Sequence, residues 1–500
     1  MRVGPVLAVC SVFLIDHWNG DPAPDYLRAM VHQTVNEQFL NALRAAVPQG
    51  DVWTSEEQRR DYGHDETEDL SHPPEVVVRA RNTAEVSAVV KLCAQHHIPV
   101  TPIGGRTGLS GGALSIHGGV GLALDRMDRI VDIDERNLQV TVEPGVITQV
   151  LQDAVAAKGL YYPPDPSSKG SCTIGGNLST NAGGTAVLAY GNSRDLCLGL
   201  EVVLADGRIW NGLRTLRKDN TGYDLRNLFI GAEGTLGVIT AASLKLFPKP
   251  KARATTFLAL DRPDQALALL HLARAEAGQQ LTTFEIMPRF GVEVVLRHAP
   301  GTRDPLGAPS PWYVLMELSS PGADGLDATV ERLLEAALDQ GVISDAVLAA
   351  SEAQRQDLWR IREAMSEVQR FEGGSIKHDV SVPVAAVPDF LAEAIATVIR
   401  MVPGCRPLPF GHLGDGNIHF NITQPEGADK AAFLARWDEI NAAVHAVVAS
   451  FHGSISAEHG IGRLKKHLLP GIKDPVELAL MRAIKATLDP TGILNPGAVL

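Results

Sequence analysis

The chain has 500 residues, 45% of them hydrophobic, and a formal net charge of −13. That length suggests two to four domains at ~100–200 residues each. The acidic balance argues against broad nucleic-acid binding but leaves room for a local basic pocket around an anionic substrate. Five scattered cysteines (Cys10, Cys93, Cys172, Cys197, Cys405) without a C-x-x-C pair exclude a cysteine-based zinc knuckle and a disulfide framework, so a reducing, cytoplasmic compartment is expected.

The opening run "VGPVLAVCSVFLI" imitates a secretory core. It is too short to span a membrane, contains Pro5, and lacks a small-x-small cleavage site. Residues 1–30 are therefore read as a disordered leader or a misassigned start. "NEQFLNALRAAVP" then reads as an amphipathic helix. From Pro74, "PEVVVRA" predicts a strand, "NTAEVSAVVKLCAQHH" a helix capped by Asn82 or Thr83, and "IPVTPIG" a second strand, which together make one α/β unit. Further strands are expected in 120–146, 200–210 and 237–250, with a helix at "ITQVLQDAVAAKGL" closed by Gly159. "PKPKA" (248–252) is the linker candidate. Beyond it, strands such as "RATTFLAL" and "WYVLMEL" alternate with Ala/Leu-rich helices. The expected organisation is α+β: a first domain over 31–250, and a second over 251–500 with an antiparallel sheet and a C-terminal tail.

Three glycine-rich segments punctuate the first domain: "PIGGRTGLSGG" (102–112), "CTIGGNLSTNAGG" (172–184) and "GAEGTLGVIT" (231–240). Glycine permits positive φ and close approach, and successive free N–H groups form nests for anions such as a pyrophosphate. A single such segment is usually a plain turn. The first reads G-G-x-x-G, neither a Rossmann fingerprint nor a P-loop. Three in one domain suggest a large nucleotide lying against several loops.

In the second domain, "GHLGDGNIHFNI" combines a sharp glycine turn with a strand. At period two, His419 and Asn421 share a face, and the turn folds His412 back towards His419. "SAEHGIGRLKK" adds Glu458 and His459. Two imidazoles and a carboxylate suit zinc or a similar divalent ion with open positions, although each histidine could equally bond the backbone. "LWRIREAMSEVQRF" predicts a helix with Arg362 and Ser366 on one face. "SIKHDVSVPV" alternates as a strand that places Lys377, Asp379 and Ser381 on one side. These residues read either as a carboxylate anchor or as a solvated charge and a surface Lys377–Asp379 pair.

The glycine segments resemble the flavin-binding domain of the vanillyl-alcohol oxidase and p-cresol methylhydroxylase superfamily. "YPPDPSSKGSCTIGGNLSTNAGG" and "LRKDNTGYDLRNLFIGAEGTLGVIT" are similar to the versions in FAD-dependent D-2-hydroxyacid dehydrogenases, especially the D-2-hydroxyglutarate dehydrogenase type. The resemblance runs from about Pro74 to the C-terminus. It implies a two-subdomain FAD-binding domain followed by a substrate cap domain whose tail returns to the flavin. It also implies noncovalent FAD, because no histidine stands between Pro102 and Leu114. The implied cofactor contacts are Ile103, Gly104, Gly105, Arg106, Thr107, Gly108 and Ser110 in the first loop. Pro164, Gly175, Gly176, Thr180, Asn181, Gly183 and Gly184 follow around the second, then Glu233, Gly237, Val238, Ile239 and Asn495.

The same resemblance implies His412, His419 and Glu458 as ligands of a divalent metal, foremost zinc, and His459 as the base that takes the hydroxyl proton while hydride passes to FAD. Arg362, Ser366, Lys377 and Asn421 would hold the substrate, with Ser366 standing where the family often has threonine. The expected activity is oxidation of a D-2-hydroxy acid, with D-2-hydroxyglutarate favoured and D-lactate or glycolate as alternatives. The rivals are a noncatalytic flavoprotein subunit and a flavin-dependent lyase or transferase. Expected partners are the hydroxy acid and an electron acceptor such as an electron-transfer flavoprotein or a quinone, through which the protein would sit peripherally at a membrane. A homodimer is compatible with the sequence.

Overall fold

The computed structural model describes residues 32–67 and 70–500. The expected leader lies outside them. The helix expected from "NEQFLNALRAAVP" spans Glu37–Ala46. Asn36 caps it by accepting the Phe39 N–H at 2.9 Å, and its apolar stripe buries Phe39, Leu40 and Leu43. Among the described residues, no helix is long and apolar enough to cross a membrane.

The N-terminal half holds two main sheets. The first runs in the order Asp51–Trp53, Val76–Arg79, Val120–Ala123, Val100–Ile103, with the last three strands parallel. Helix Thr83–His96 makes the crossover between Val76–Arg79 and Val100–Ile103. Asn82 caps it through the Glu85 N–H, and His97 in the left-handed region ends it. The second sheet is antiparallel: Ile130–Asp134, Gln139–Val142, Val238–Lys245, Cys197–Val203, Ile209–Gly212. Each sheet closes its own core, around Val76, Val89 and Val120 in one and Leu151, Leu200 and Leu244 in the other.

The C-terminal half is built on one eight-stranded antiparallel sheet. Its order is Asp345–Leu348, Ala252–Leu260, Trp312–Ser320, Leu281–Pro288, Arg406–His412, Asn417–Thr423 and Ser375–Ile376, with Asp379–Ser381 also pairing with Asn417–Thr423. Helices Pro263–Ala277, Leu326–Asp339, Val387–Met401 and Trp437–Ser450 cover one face, while Arg289–His298 and Glu352–Val368 cover the other. With both faces covered, its central strands are continuously buried rather than alternating. Leu281–Pro288 is buried at every position.

The expectation of a continuous strand over 375–384 needs correction. It breaks at Lys377 and His378 into Ser375–Ile376 and Asp379–Ser381. The buried His378 donates Nδ1–H to the Phe420 carbonyl (2.8 Å), and its own carbonyl accepts the Phe420 N–H (3.0 Å). Lys377 is exposed while Asp379 is only 3% exposed, so the surface pair does not form.

Candidate active site

The glycine turn at 413–416 closes a hairpin in which His412 pairs with Asn417 and Phe410 with His419. The turn requires glycine at 416: φ is +86°, and a Cβ would lie against the Val382 carbonyl. The hairpin brings the His412 and His419 rings to 5.7 Å between centroids. Asp379 stands opposite His419 on the neighbouring strand. Its buried carboxylate gathers a loop from a distant part of the chain: Oδ2 accepts the main-chain N–H groups of Glu458 (2.8 Å) and His459 (2.9 Å), and Oδ1 accepts from Asn417 Nδ2 (3.0 Å).

His412, His419 and Glu458 thus each offer one ligand atom, all within 4.8 Å of one another. Tetrahedral ligands at ~2.0–2.2 Å from one zinc stand about 3.3–3.6 Å apart, so the widest separation would contract by about 1–1.5 Å to place all three on one ion. The donor set fits zinc: two imidazoles and a carboxylate. His412 has a carboxylate on each side. Its Nδ1 lies 2.5 Å from Glu285 Oε1, and its Nε2 faces Glu458 Oε1 at 3.9 Å.

Electrostatics at the site follow burial and pairing. Burial lowers His419 to about 3, against the pull of Asp379, and keeps its imidazole neutral. His459 is also lowered by burial, with Asp379 opposing; its Nδ1 lies 3.7 Å from Asp379 Oδ2. Burial alone would raise Asp379, but the His459 and His419 imidazoles outweigh it and hold the carboxyl well below the usual range. Glu458 is raised, chiefly by burial.

The glycine loops fit a dinucleotide. Among the described residues, the main-chain N–H groups of Gly105, Arg106, Thr107 and Gly108 donate to no protein acceptor, and a Cβ on Gly108 would meet only Asp65 Oδ2, at 3.9 Å. This is an open nest of free donors. The first two loops pack directly on each other, since a Cβ on Gly104 would come within 2.7 Å of Thr173 Oγ1. The second loop in turn meets the histidine cluster: Gly184 N–H donates to Glu458 Oε1 at 3.1 Å, and a Cβ on Gly183 would lie 3.1 Å from the same oxygen. The cradle and the ligand cluster are one continuous site.

Several expected contacts sit differently. The Glu233 carboxylate accepts the N–H groups of Ile461 (2.8 Å) and Gly462 (2.9 Å), and Asn495 Nδ2 donates to the carbonyls of Gly112 and Glu233. These two residues tie the chain segments around the cradle together, so their polar side-chain atoms are already committed. Val238 and Ile239 send their side chains into the two hydrophobic cores, leaving only their backbone for a cofactor. The Arg106 side chain turns outward to the Asp61 carbonyl and the Tyr62 ring. Thr180 Oγ1 donates to the Gly176 carbonyl, Asn181 Oδ1 accepts the Arg194 N–H, and Ser110 Oγ donates to the Gly460 carbonyl. Ile103, Pro164, Gly175 and Gly237 are buried packing positions.

The proposed anchor is split. Arg362 is buried, stacks its guanidinium over the Phe410 ring at 4.8 Å and donates Nε to Glu285 Oε2 at 2.6 Å, whereas Ser366, one turn on, is exposed. Asn421 is buried and donates to Gln369 Oε1 at 2.8 Å. Glu285 was missed in the sequence. The available signal was a carboxylate between Phe284 and Ile286 in the short strand-like run "LTTFEIMP", where a buried charge demands a partner.

Residues 74–212 match the family described as FAD binding domain, and residues 249–499 the one described as FAD linked oxidases, C-terminal domain. A D-2-hydroxyglutarate dehydrogenase of Xanthomonas citri pv. viticola is 38% identical over 91% of this chain and 95% of its own. One of Stutzerimonas stutzeri is 37% identical over 92% and 98%, and the mitochondrial one of Bos taurus 38% over 93% and 84%. Among solved structures, p-cresol methylhydroxylase with substrate bound superposes with a TM-score of 0.72 at 19% identity, covering 92% of this chain and 96% of that one. An alkyldihydroxyacetonephosphate synthase also reaches 0.72, at 16% identity, over 93% and 86%. The open glycine cradle, the p-cresol methylhydroxylase-type fold and these near-full-length relatives agree: the chain belongs to the FAD-linked oxidases, in the branch that holds the D-2-hydroxyglutarate dehydrogenases, and is an FAD-dependent dehydrogenase.

Proposed function

We propose that this dehydrogenase oxidises a D-2-hydroxy acid to the 2-oxo acid, with D-2-hydroxyglutarate the favoured substrate. In this reading FAD is bound noncovalently and His412, His419 and Glu458 hold a divalent ion, foremost zinc. When bound, FAD supplies a two-electron acceptor and the ion a Lewis acid. The observation that carries the reading is the Gly184–Glu458 contact, which sets the ligand cluster against the second glycine loop.

The chain's own residues then divide the work. His459, kept neutral by burial, takes the substrate's hydroxyl proton on its imidazole, and the Asp379 carboxylate beside Nδ1 favours the charge that results. Arg362 and Lys377 meet the carboxylates, with Ser366 and Asn421 completing the pocket wall. Two cationic groups favour a dicarboxylate, because a second carboxylate left unpaired would be costly. Arg362 shares its charge with Glu285, so the exposed Lys377 carries much of that discrimination. D-lactate or glycolate remains the second reading for that reason. Electrons leave to a protein or quinone acceptor, as the chain has no NAD fingerprint.

Anaerobic mixing with a panel of D- and L-hydroxy acids, with and without chelator, tests the reading. D-2-hydroxyglutarate should bleach the flavin fastest, and chelator should abolish the bleaching. Equal or faster reduction by D-lactate would overturn the substrate assignment. His459→Ala should retain FAD and lose flavin reduction.

A further inference from the structure

Glu285 takes no part in the activity as described, yet it is the most deeply buried carboxylate at the site, with a side chain 0% exposed. Its two oxygens face two different functional groups: Oε1 meets His412 Nδ1 at 2.5 Å, and Oε2 meets Arg362 Nε at 2.6 Å. Strand Leu281–Pro288 holds it rigidly, because Glu285 pairs with His412 and Ile286 with Gly411 in the ladder. Arg362 is pinned over the Phe410 ring, and His412 sits on the last residue of its strand with Nε2 towards Glu458.

We propose that Glu285 is a positioning residue that couples the carboxylate anchor to the metal site, so that a carboxylate at Arg362 and a divalent ion at His412 each strengthen the binding of the other. The inference rests on the roles given above to Arg362 and His412. One anion is shared between a guanidinium and an imidazole. A substrate carboxylate that engages the free Nη groups of Arg362 competes for its charge and loosens its hold on Oε2. The Glu285 charge then acts more fully on His412 Nδ1–H, and the imidazole becomes a better donor through Nε2. An ion on His412 draws Glu285 the other way and leaves Arg362 freer for substrate. Such coupling is reciprocal by necessity.

The test uses glutarate, a dicarboxylate without the reacting hydroxyl, and zinc, with affinity read by competition against a chromogenic chelator and no turnover required. In the FAD-loaded protein, saturating glutarate should tighten zinc binding by about fivefold or more. Glu285→Gln can satisfy only one of its two neighbours. It should weaken zinc by about 10–100-fold and reduce the glutarate effect to within twofold. Arg362→Gln leaves the Glu285–His412 contact intact. It should bind zinc at least as tightly as the unaltered protein and also lose the glutarate effect. That second variant decides the matter should Glu285→Gln fail to retain FAD or fold. Glutarate without effect on the unaltered protein, an equal effect in Arg362→Gln, or no zinc binding at all would overturn the coupling. Failure of the substrate assignment alone would leave the zinc–glutarate linkage standing.

Discussion

Replacing Asp379 with asparagine changes one atom and should damage both stability and turnover. The carboxylate receives three hydrogen bonds, from the Glu458 and His459 N–H groups at Oδ2 and from Asn417 Nδ2 at Oδ1. A carboxamide has one accepting oxygen. Whichever way it lies, its NH₂ faces either the two main-chain donors or the Asn417 amide. Hydrogen bonds to a charged group contribute ~1.5–3 kcal/mol each, so losing one or two costs about 2–5 kcal/mol. The loop that is released carries both Glu458 and His459. Each ~1.4 kcal/mol of that loss expressed in the transition state slows the reaction tenfold. The expected outcome is a destabilisation of about 2–5 kcal/mol in chemical denaturation, flavin reduction at least tenfold slower in anaerobic stopped flow, and unchanged FAD content. An unchanged denaturation midpoint together with a reduction rate within twofold would refute the assignment of Asp379 as the organiser of the loop.

Gly105→Ala would set its Cβ on the Ser171 carbonyl oxygen and should yield protein lacking FAD, whereas Gly170→Ala, with nothing within 4 Å, should retain it; flavin absorbance per protein distinguishes them. Glu233→Gln keeps one acceptor for Ile461 and Gly462 but loses the charge, and should lower stability by about 1–3 kcal/mol with faster FAD loss on dilution. Burial pushes the Glu372 carboxyl up, but hydrogen bonds from His298, Arg406 and Arg297 prevail and hold it at about 2 against an ordinary 4.5. A depressed carboxyl stabilises above its unfolded value. The melting-temperature advantage of the unaltered protein over Glu372→Gln should therefore be full above pH 4.5 and vanish as pH falls towards 2.

Local features of the site were legible and remote ones were not. The His412–His419 hairpin follows from a glycine turn and a period-two strand, both written within twelve residues. The pairing of Glu285 with His412 spans 127 positions and depends on which strands become neighbours, which no local pattern states. Arg362 and Ser366 do share a helical face in spacing, yet one is buried and the other exposed, because the sheet covers only part of that face. Lys377 and Asp379 looked equivalent by alternation; the break at His378 separated them. Glu233 and Asn495 stand beside the cradle as expected, but a polar residue near a ligand site has two possible employers, and here the protein's own backbone claims both.

Residues 493–495 close the edge of the first sheet. Strand Val100–Ile103 is the edge of the first sheet, and Leu494 lies parallel to Val100, with the Asn495 N–H bonded to the Val100 carbonyl and the Val100 N–H to the Ile493 carbonyl. Arg463 grips Asn495 Oδ1 at 2.7 Å, and the Val499 N–H reaches the Gly462 carbonyl. During synthesis, therefore, the first half emerges with an open edge that stays uncovered for nearly four hundred residues of translation. Open edges invite strand addition from other chains. Residues 493–499 act as a late seam, and a chain lacking them would carry an unsealed, aggregation-prone flank.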